Sequence, residues 1–207
     1  MNEQSYERRP KMFWNKIAGV YDLVENVYNG KANARTTDYV ASLMSGDDKV
    51  LECACGTGMF SVKIAPRVKE LTATDLAEGM LRQTARKCKA FGNVRVEPGD
   101  ITELRFADDT FDKAVAANVI HLVDDPKKAI DELKRVVKPG GMIIIPTYIH
   151  FDRSIAANVF NKAGAGFKRH FTEENYKKFF EDLGIDDVKF NVLDGRMQCD
   201  VAVFTNR

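Results

Sequence analysis

The chain has 207 residues, 44% of them hydrophobic and 29% charged, with a formal net charge of +1. That is the size and mix of a single globular domain with one large core. So small a net charge excludes a field that would gather nucleic acid or anionic lipid, and no apolar run approaches the roughly 20 residues that span a bilayer.

The first eleven residues, including "RRPK" at 8–11, read as a polar, solvated arm without the layout of a signal segment. Apolar residues then recur at helical spacing (Phe13, Ile17, Val20, Val24, Val27, Tyr28), which predicts an amphipathic helix over 12–28. Gly19 weakens it and "YNG" at 28–30 ends it, before a short helix over 32–44. "KVLECA" reads as a buried strand. Residues 59–65 are expected to be helical and to stop before Pro66, because the residue preceding proline disfavours the α region. "ELTATD" at 70–75 is a strand, 77–90 a helix, "NVRVEP" at 93–98 a strand and "FDKAVAAN" at 111–118 another.

Asp125 then suits an N-cap and Pro126 the first helical position, with Ala129, Ile130, Leu133, Val136 and Val137 as the apolar stripe and Gly140–Gly141 as the stop. "MIIIPTYI" at 142–149 is apolar on both faces, as central parallel strands are, with Pro146 toward its end. Residues 150–170 read as an irregular connection. Thr172 caps a helix that Gly184 ends, and strands near 186–194 and 198–206 meet as a hairpin at "DGRMQ". This alternation predicts an α/β, Rossmann-like, doubly wound sheet of seven strands, mostly parallel with an antiparallel C-terminal hairpin. It predicts one domain over 1–207: a helical segment at 1–45 (a lid in the family resembled below), core 46–149, variable connection 150–171, and a helix and hairpin at 172–207.

Chemistry concentrates at "VLECACGTGMF", residues 50–60, where a strand runs through Glu52 into a glycine turn. From Gly56 it reads G-x-G-x-x-S, a near miss for a dinucleotide fingerprint because Ser61 stands where a third small residue packs helix on strand. From Glu52 it reads E-x-A-x-G-x-G. Asp75, at the next strand end, suits the ribose diol of either cofactor. On this turn alone both ligands stay open.

The wider set of motifs resembles the class I S-adenosylmethionine-dependent methyltransferases, and within them the small-molecule group typified by the ubiquinone/menaquinone-biosynthesis enzymes. "VLECACGTG" resembles the family's first motif with Ala54 in place of a glycine, "LTATDLAEGML" the second, and "EPGD" the third. "FDKAVAANVIHLVDDP" and "LKRVVKPGGMIIIPTY" match its fourth and fifth strand segments. The resemblance implies S-adenosylmethionine as cofactor, held by Tyr21, Glu52, Ala54, Gly56, Thr57, Gly58, Asp75, Leu76, Met80, Gly99, Asp100, Ile101 and Asn118. Tyr21 and Asp22 match a tyrosine–acid pair in the family's lid. The acceptor is expected over the ends of the fourth and fifth strands, near Asn118, His121, Thr147, Tyr148 and His150.

His121 is the first candidate for a base and His150 the second, with Tyr21 reaching the sulfonium or the acceptor. Trp14, Phe13 and Phe151 suit an apolar roof. The expected activity is methyl transfer to a small molecule in a cytoplasmic monomer or homodimer, with no metal, nucleic acid or integral membrane segment. A catalytically silent cofactor-binding subunit is the alternative, and a nicotinamide-dependent oxidoreductase a more distant one. The four cysteines (Cys53, Cys55, Cys88, Cys199) lack metal spacing and are expected as buried thiols in a reducing compartment.

Overall fold

The computed structural model describes residues 3–150 and 161–207, with side chains from residue 10 onward except 24, 26 and 28. Phe151, proposed above for the roof, lies outside the described residues, as do residues 152–160 of the variable connection. In chain order the elements are α1 (Glu3–Ile17), α2 (Tyr21–Ser42), β1 (Lys49–Cys53), α3 (Ser61–Ile64), a 3-10 turn (Ala65–Arg67), β2 (Glu70–Asp75), α4 (Glu78–Lys87), β3 (Val94–Pro98), β4 (Phe111–Ala116), α5 (Pro126–Val136), β5 (Val137–Ile149), α6 (Glu173–Asp182), β6 (Lys189–Leu193) and β7 (Gln198–Thr205).

The seven strands form one sheet in the order β3-β2-β1-β4-β5-β7-β6. Pairings from β3 through to β5 are parallel, and β7 runs antiparallel to both of its neighbours. Strand side chains alternate between two helical layers, as a period of two requires. Leu51, Ala114, Ile143, Ile145 and Phe204 pack with Leu133 of α5 and with Tyr176 and Phe180 of α6. Val50, Leu71, Val115, Ile144 and Val201 pack with Val40 of α2 and Ile64 of α3. Full burial of each large aliphatic side chain contributes about 1.5–3 kcal/mol, so this two-sided core fixes the register of the central strands.

Several predicted boundaries move. Glu3–Ile17 is helical with Pro10 inside it, so most of the polar arm belongs to a helix. The break falls at residues 18–20, around Gly19, and α2 runs on through "YNG" with only a kink at Asn29 (φ −136°, ψ 20°). The kink survives because Asn29 is held from outside: its Nδ2 donates to Met197 O at 3.0 Å, and Met197 N donates to its Oδ1 at 3.2 Å. Pro66 does not stop the chain; it sits early in the 3-10 turn, where its missing N–H costs nothing. Asp125 caps α5 as predicted, accepting from Lys128 N, but the helix ends at Val136 and Gly140–Gly141 lie within β5. There Gly140, at φ +80°, donates to Asn206 O at 2.7 Å, and Asn206 N donates to Gly141 O at 2.8 Å. The chain's last strand therefore draws these glycines into the sheet. Thr172 forms a full capping box with Asn175.

Order along the sheet runs outward from β1 through β2 to β3, then restarts at β4 on the other side of β1. The loops after β1 and β4 consequently part, leaving a crevice at the carboxyl ends of the strands where such sheets seat ligands.

Candidate functional site

The turn after β1 carries three left-handed residues in five: Ala54 (φ 52°), Gly56 (φ 56°) and Gly58 (φ 82°). Gly58 is obligatory on two counts, since a Cβ there would meet Thr84 at 3.0 Å as well as the unfavourable φ. Gly56 faces outward, where an added Cβ would meet nothing within 4 Å. Ala54 holds the same class of conformation with a Cβ, which costs roughly 1–2 kcal/mol.

Two carboxylates frame this turn. Glu52 is buried and accepts from Ser61 Oγ at 2.6 Å. Burial, reinforced by Asp75, pushes it up to about 8, against the opposing hydrogen bond from Ser61. Ser61, the residue that spoils a dinucleotide fingerprint, is thus the partner of this acid. Asp75 accepts from Gly56 N at 2.9 Å and from Ala77 N at 2.8 Å, so it ties the turn to the start of α4. Burial raises it too, with those N–H groups pulling the other way. Thr84 Oγ1 donates to Gly56 O at 2.8 Å and completes the clamp.

The helices α1 and α2 close over this end. Asn15 Oδ1 accepts from Gly79 N at 2.6 Å, and Met80 lies beneath Ala18, Trp14, Ile17 and Tyr21. Trp14 meets Phe13 at 5.1 Å and Tyr21 at 5.8 Å between ring centroids, both edge to face. Asp22 Oδ1 accepts from Thr57 Oγ1 at 2.5 Å while its Oδ2 pairs with Lys87 at 2.5 Å. The phenol of Tyr21 is raised well above its ordinary value by burial and then by Glu25, Asp22 and Asp75. Leu76 is 51% exposed beside Asp75, Ile101 is buried in the core, and Gly99 lets its loop approach Thr74, which a Cβ would meet at 2.9 Å. Asp100 Oδ1 accepts from Thr102 N and Oγ1 at 2.8 and 2.7 Å, so it also starts the turn that follows.

The acceptor-side residues form a second group. Asn118 (φ 51°) and His150 (φ 57°) are left-handed at the ends of β4 and β5. Asn118 Oδ1 accepts from Tyr148 N at 3.0 Å, and His150 N donates to Phe171 O at 2.7 Å. His121 lines a small cavity with Tyr148, Arg169, His170 and Phe171. Its Nδ1 and that of His150 are buried without a hydrogen-bond partner among the described residues. Burial, then His170 and Arg169, depress His121 to about 3, so it is a neutral imidazole. Thr147 turns toward α6, on the strand face opposite Tyr148. The cysteines are buried free thiols, with Cys53 pushed up to about 12 by burial, and no cluster able to hold a metal ion occurs among the described residues.

The predicted turn, Asp75, Tyr21 and Asp22 are brought together at this end of the sheet. Sequence reading missed Asn15, Thr84 and Lys87, which act through tertiary contacts that no local pattern announces. It also missed Glu25, which lies off the predicted apolar stripe, on a face of α2 that tertiary packing buries while Val20 and Val27 stay exposed.

The residues fit a methyl-donor cofactor better than a dinucleotide. The buried Glu52 and the half-buried Asp75 suit an ammonium and a diol, the open Gly56 side admits a ligand, and α3 is short and opens on Ser61 where a third small residue would let a helix pack close enough to cradle a pyrophosphate. Comparison with known proteins agrees. Residues 51–145 match the model of a methyltransferase domain. A demethylmenaquinone methyltransferase of Paenarthrobacter aurescens is 33% identical over 155 residues, 72% of this chain and 60% of that protein, so the chain spans less than two thirds of that relative's length. One from Staphylococcus aureus is 27% identical, covering 94% of this chain and 91% of its own. A solved methyltransferase of Thermotoga maritima, described as a possible histamine N-methyltransferase, has the same fold (TM-score 0.70, 18% identity, 96% and 100% coverage). With the 3-2-1-4-5-7-6 sheet and the acids at its switch point, these likenesses show that the chain carries, over residues 51–145, a methyltransferase domain of the class I S-adenosylmethionine-dependent kind.

Proposed function

We propose that the protein transfers a methyl group from S-adenosylmethionine to a small-molecule acceptor. The observation that carries this reading is the Glu52–Gly58 turn clamped by Asp75 at the sheet's switch point. Bound there, the cofactor supplies an electrophilic methyl group on a sulfonium. Glu52 would take the ammonium, Asp75 the diol through its remaining lone pairs, and Gly56, Gly58 and Thr57 the close backbone approach. Leu76, Met80, Gly99, Asp100 and Ile101 would surround the adenine, while Ala54 and Asn118 line the methionine end. The protein's chemical contribution is alignment and exclusion of water, since displacement at the methyl needs the nucleophile in line at about 3 Å.

Tyr21 would face the reacting centre from the lid, held there by the Asp22 bonds to Thr57 and Lys87. His121 and His150 would meet the acceptor as hydrogen-bonding imidazoles. Residues 1–45 act as the lid, 46–149 as the core, 150–171 as the acceptor-side connection and 172–207 as its support. We further place the protein in the cytoplasm as a monomer or homodimer without a nucleic-acid partner. The near-zero net charge supports that reading, and no described helix is long and apolar enough to cross a membrane.

The test is the thermal midpoint with S-adenosylhomocysteine and, in parallel, NADH, followed by release of S-adenosylhomocysteine from S-adenosylmethionine with naphthohydroquinone, catechol and histamine as acceptors. Ligand at a hundredfold excess over Kd should stabilise by about 2.7 kcal/mol. A rise with NADH alone overturns the reading. Stabilisation without turnover of any acceptor class would reduce it to a cofactor-binding subunit.

A further inference from the structure

Glu25 lies on α2 one turn after Tyr21 and is 7% exposed. Three donors converge on it. Asn33 Nδ2 donates to Glu25 Oε2 at 2.9 Å, the Tyr148 hydroxyl lies 2.9 Å from the same oxygen, and Tyr21 hydrogen-bonds to the carboxyl as well. Lys87, which reaches the first turn of this helix, pairs with Asp22 instead. A buried carboxylate served by hydroxyls and an amide rather than a cation is an expensive arrangement to keep without a use.

Proton counting sharpens the point. The Tyr148 hydroxyl has one proton, yet it lies 2.7 Å from Asn33 Oδ1 and 2.9 Å from Glu25 Oε2. Asn33 Oδ1 also accepts from Asn29 Nδ2 at 3.3 Å. When Tyr148 donates to Asn33, its lone pair faces Glu25, and the second contact is satisfied only by a proton on the carboxyl. When it donates to Glu25, the carboxylate is satisfied unprotonated. Both states of Glu25 are therefore accommodated by one rotation of one hydroxyl, with no heavy atom moving.

Three other groups near the reacting centre are less available. His121 is held at about 3, Asp22 is paired with a lysine, and Asp75 already accepts from two N–H groups. Tyr21 stays protonated and can only pass a proton on. Glu25 faces Tyr21 and Tyr148; the further titratable groups around the cluster are Asp22 and Asp75 beside Tyr21 and Cys199 beside Tyr148.

We propose that Glu25 is the proton-accepting group of this site, reached through the Tyr21 hydroxyl and held in place by Tyr148 and Asn33. The inference rests on the methyl-transfer reading above. For an acceptor bearing a hydroxyl, the O–CH3 bond forms as the methyl–sulfur bond breaks, with its electron pair left on sulfur. The hydroxyl proton passes to the Tyr21 oxygen while the Tyr21 proton passes to Glu25. One carboxylate and one sulfonium become one carboxylic acid and one thioether, so charge inside the closed site is neutralised. Glu25 acts through Tyr21 and is accordingly a positioning and proton-holding residue.

The experiment compares wild type with Glu25→Gln, Tyr21→Phe and Tyr148→Phe, using S-adenosylhomocysteine for binding and naphthohydroquinone and catechol for turnover. Glu25→Gln and Tyr21→Phe should each lower kcat by about 100-fold with the cofactor KM little changed, and should abolish the acid limb of the pH–rate profile. Independently of activity, Glu25→Gln should bring two of the late-ionising tyrosines, Tyr21 and Tyr148, to lower pH in the tyrosinate absorbance titration while Tyr176 stays late, because their charged neighbour is gone. Tyr148→Phe should weaken the pH dependence while keeping the Tyr21 route.

A Glu25→Gln enzyme with wild-type kcat and acid limb, or with a superimposable tyrosinate titration, overturns the proposal. If Glu25→Gln fails to fold, Tyr21→Phe carries the kinetic test, and retention of the acid limb there overturns it equally. Wild type that binds no S-adenosylhomocysteine overturns the methyl-transfer reading itself, a separate outcome.

Discussion

Ala54 is the residue at which sequence and backbone disagree most plainly. Its φ of 52° is ordinary for glycine and strained for alanine. Ala54→Gly should relieve roughly 1–2 kcal/mol in the folded state and return a smaller part of that as unfolded-chain entropy, for a net gain of about 0.5–1 kcal/mol. Denaturant unfolding would read it as a higher midpoint at unchanged slope; a lower midpoint would mean the Cβ makes contacts that outweigh the strain. Glu52 supplies a second prediction at this scale. It must be ionised to hold an ammonium, yet burial raises it to about 8 in the free protein. Cofactor affinity should therefore climb as pH rises from about 5 toward 8, with a proton released on binding, and Glu52→Gln should bind weakly with no such climb. Calorimetry in buffers of different ionisation enthalpy would count that proton. Both residues were legible in "VLECACGTG", because a strand running into glycines leaves few alternatives. The Glu52–Ser61 bond was not, since the serine read only as a flaw in another motif.

Among the elements, those governed by local chemistry came out at or near their predicted bounds. β2 spans Glu70–Asp75 as read, and α5 begins at Pro126 behind its Asp125 cap. Thr172 likewise caps α6 from both directions, and Thr172→Ala should cost about 1 kcal/mol of stability by removing the bond to Asn175 N. The misjudged elements are those whose ends depend on distant partners. Asn29 keeps α2 continuous by bonding to Met197, 168 residues away, and Asn206 decides the fate of Gly140. The docking of α1 on α4 is of the same kind. A Cβ at Gly79 would stand 2.8 Å from Asn15 O, so Gly79→Ala should push α1 outward at a cost of about 1–3 kcal/mol. Limited proteolysis should then cut α1 sooner, with the core midpoint less affected and S-adenosylhomocysteine leaving faster. Unchanged protection of α1 would show that the contact does not seat α1 on α4.

At the scale of the whole molecule the architecture was readable because strand and helix periodicities alternate and the last two strands form a hairpin, which places an antiparallel strand beside β5. What the sequence could not convey is how much unsatisfied acidity the closed form buries, and this sets the pH dependence of stability. Glu52 is raised to about 8 and Asp200 to about 6, in both cases chiefly by burial, while His121 is lowered to about 3. A raised carboxyl binds its proton more tightly in the folded state. Its contribution is therefore complete below its unfolded value near 4 and is lost as pH rises toward the folded one. A lowered imidazole has the opposite slope, its contribution being complete above about 6.5 and lost toward 3. Between about 4.5 and 6 the two carboxyls oppose one histidine, and from about 6.5 to 8 Glu52 acts alone, so the net slope is downward across the neutral range. The free protein should accordingly be less stable at pH 8 than at pH 6.5, losing on the order of 1.4 kcal/mol per pH unit from Glu52. Glu52→Gln should remove that slope above pH 6.5, and Asp200→Asn should remove only the part below about 6. Saturating S-adenosylhomocysteine should flatten the same limb, because its ammonium favours the ionised acid that the empty fold resists. Thermal midpoints across that range, with and without the ligand, would test the fold and the site together: a flat profile in the free wild type would mean that Glu52 is ionised and solvated, and that the seat at the end of β1 is not the closed one described.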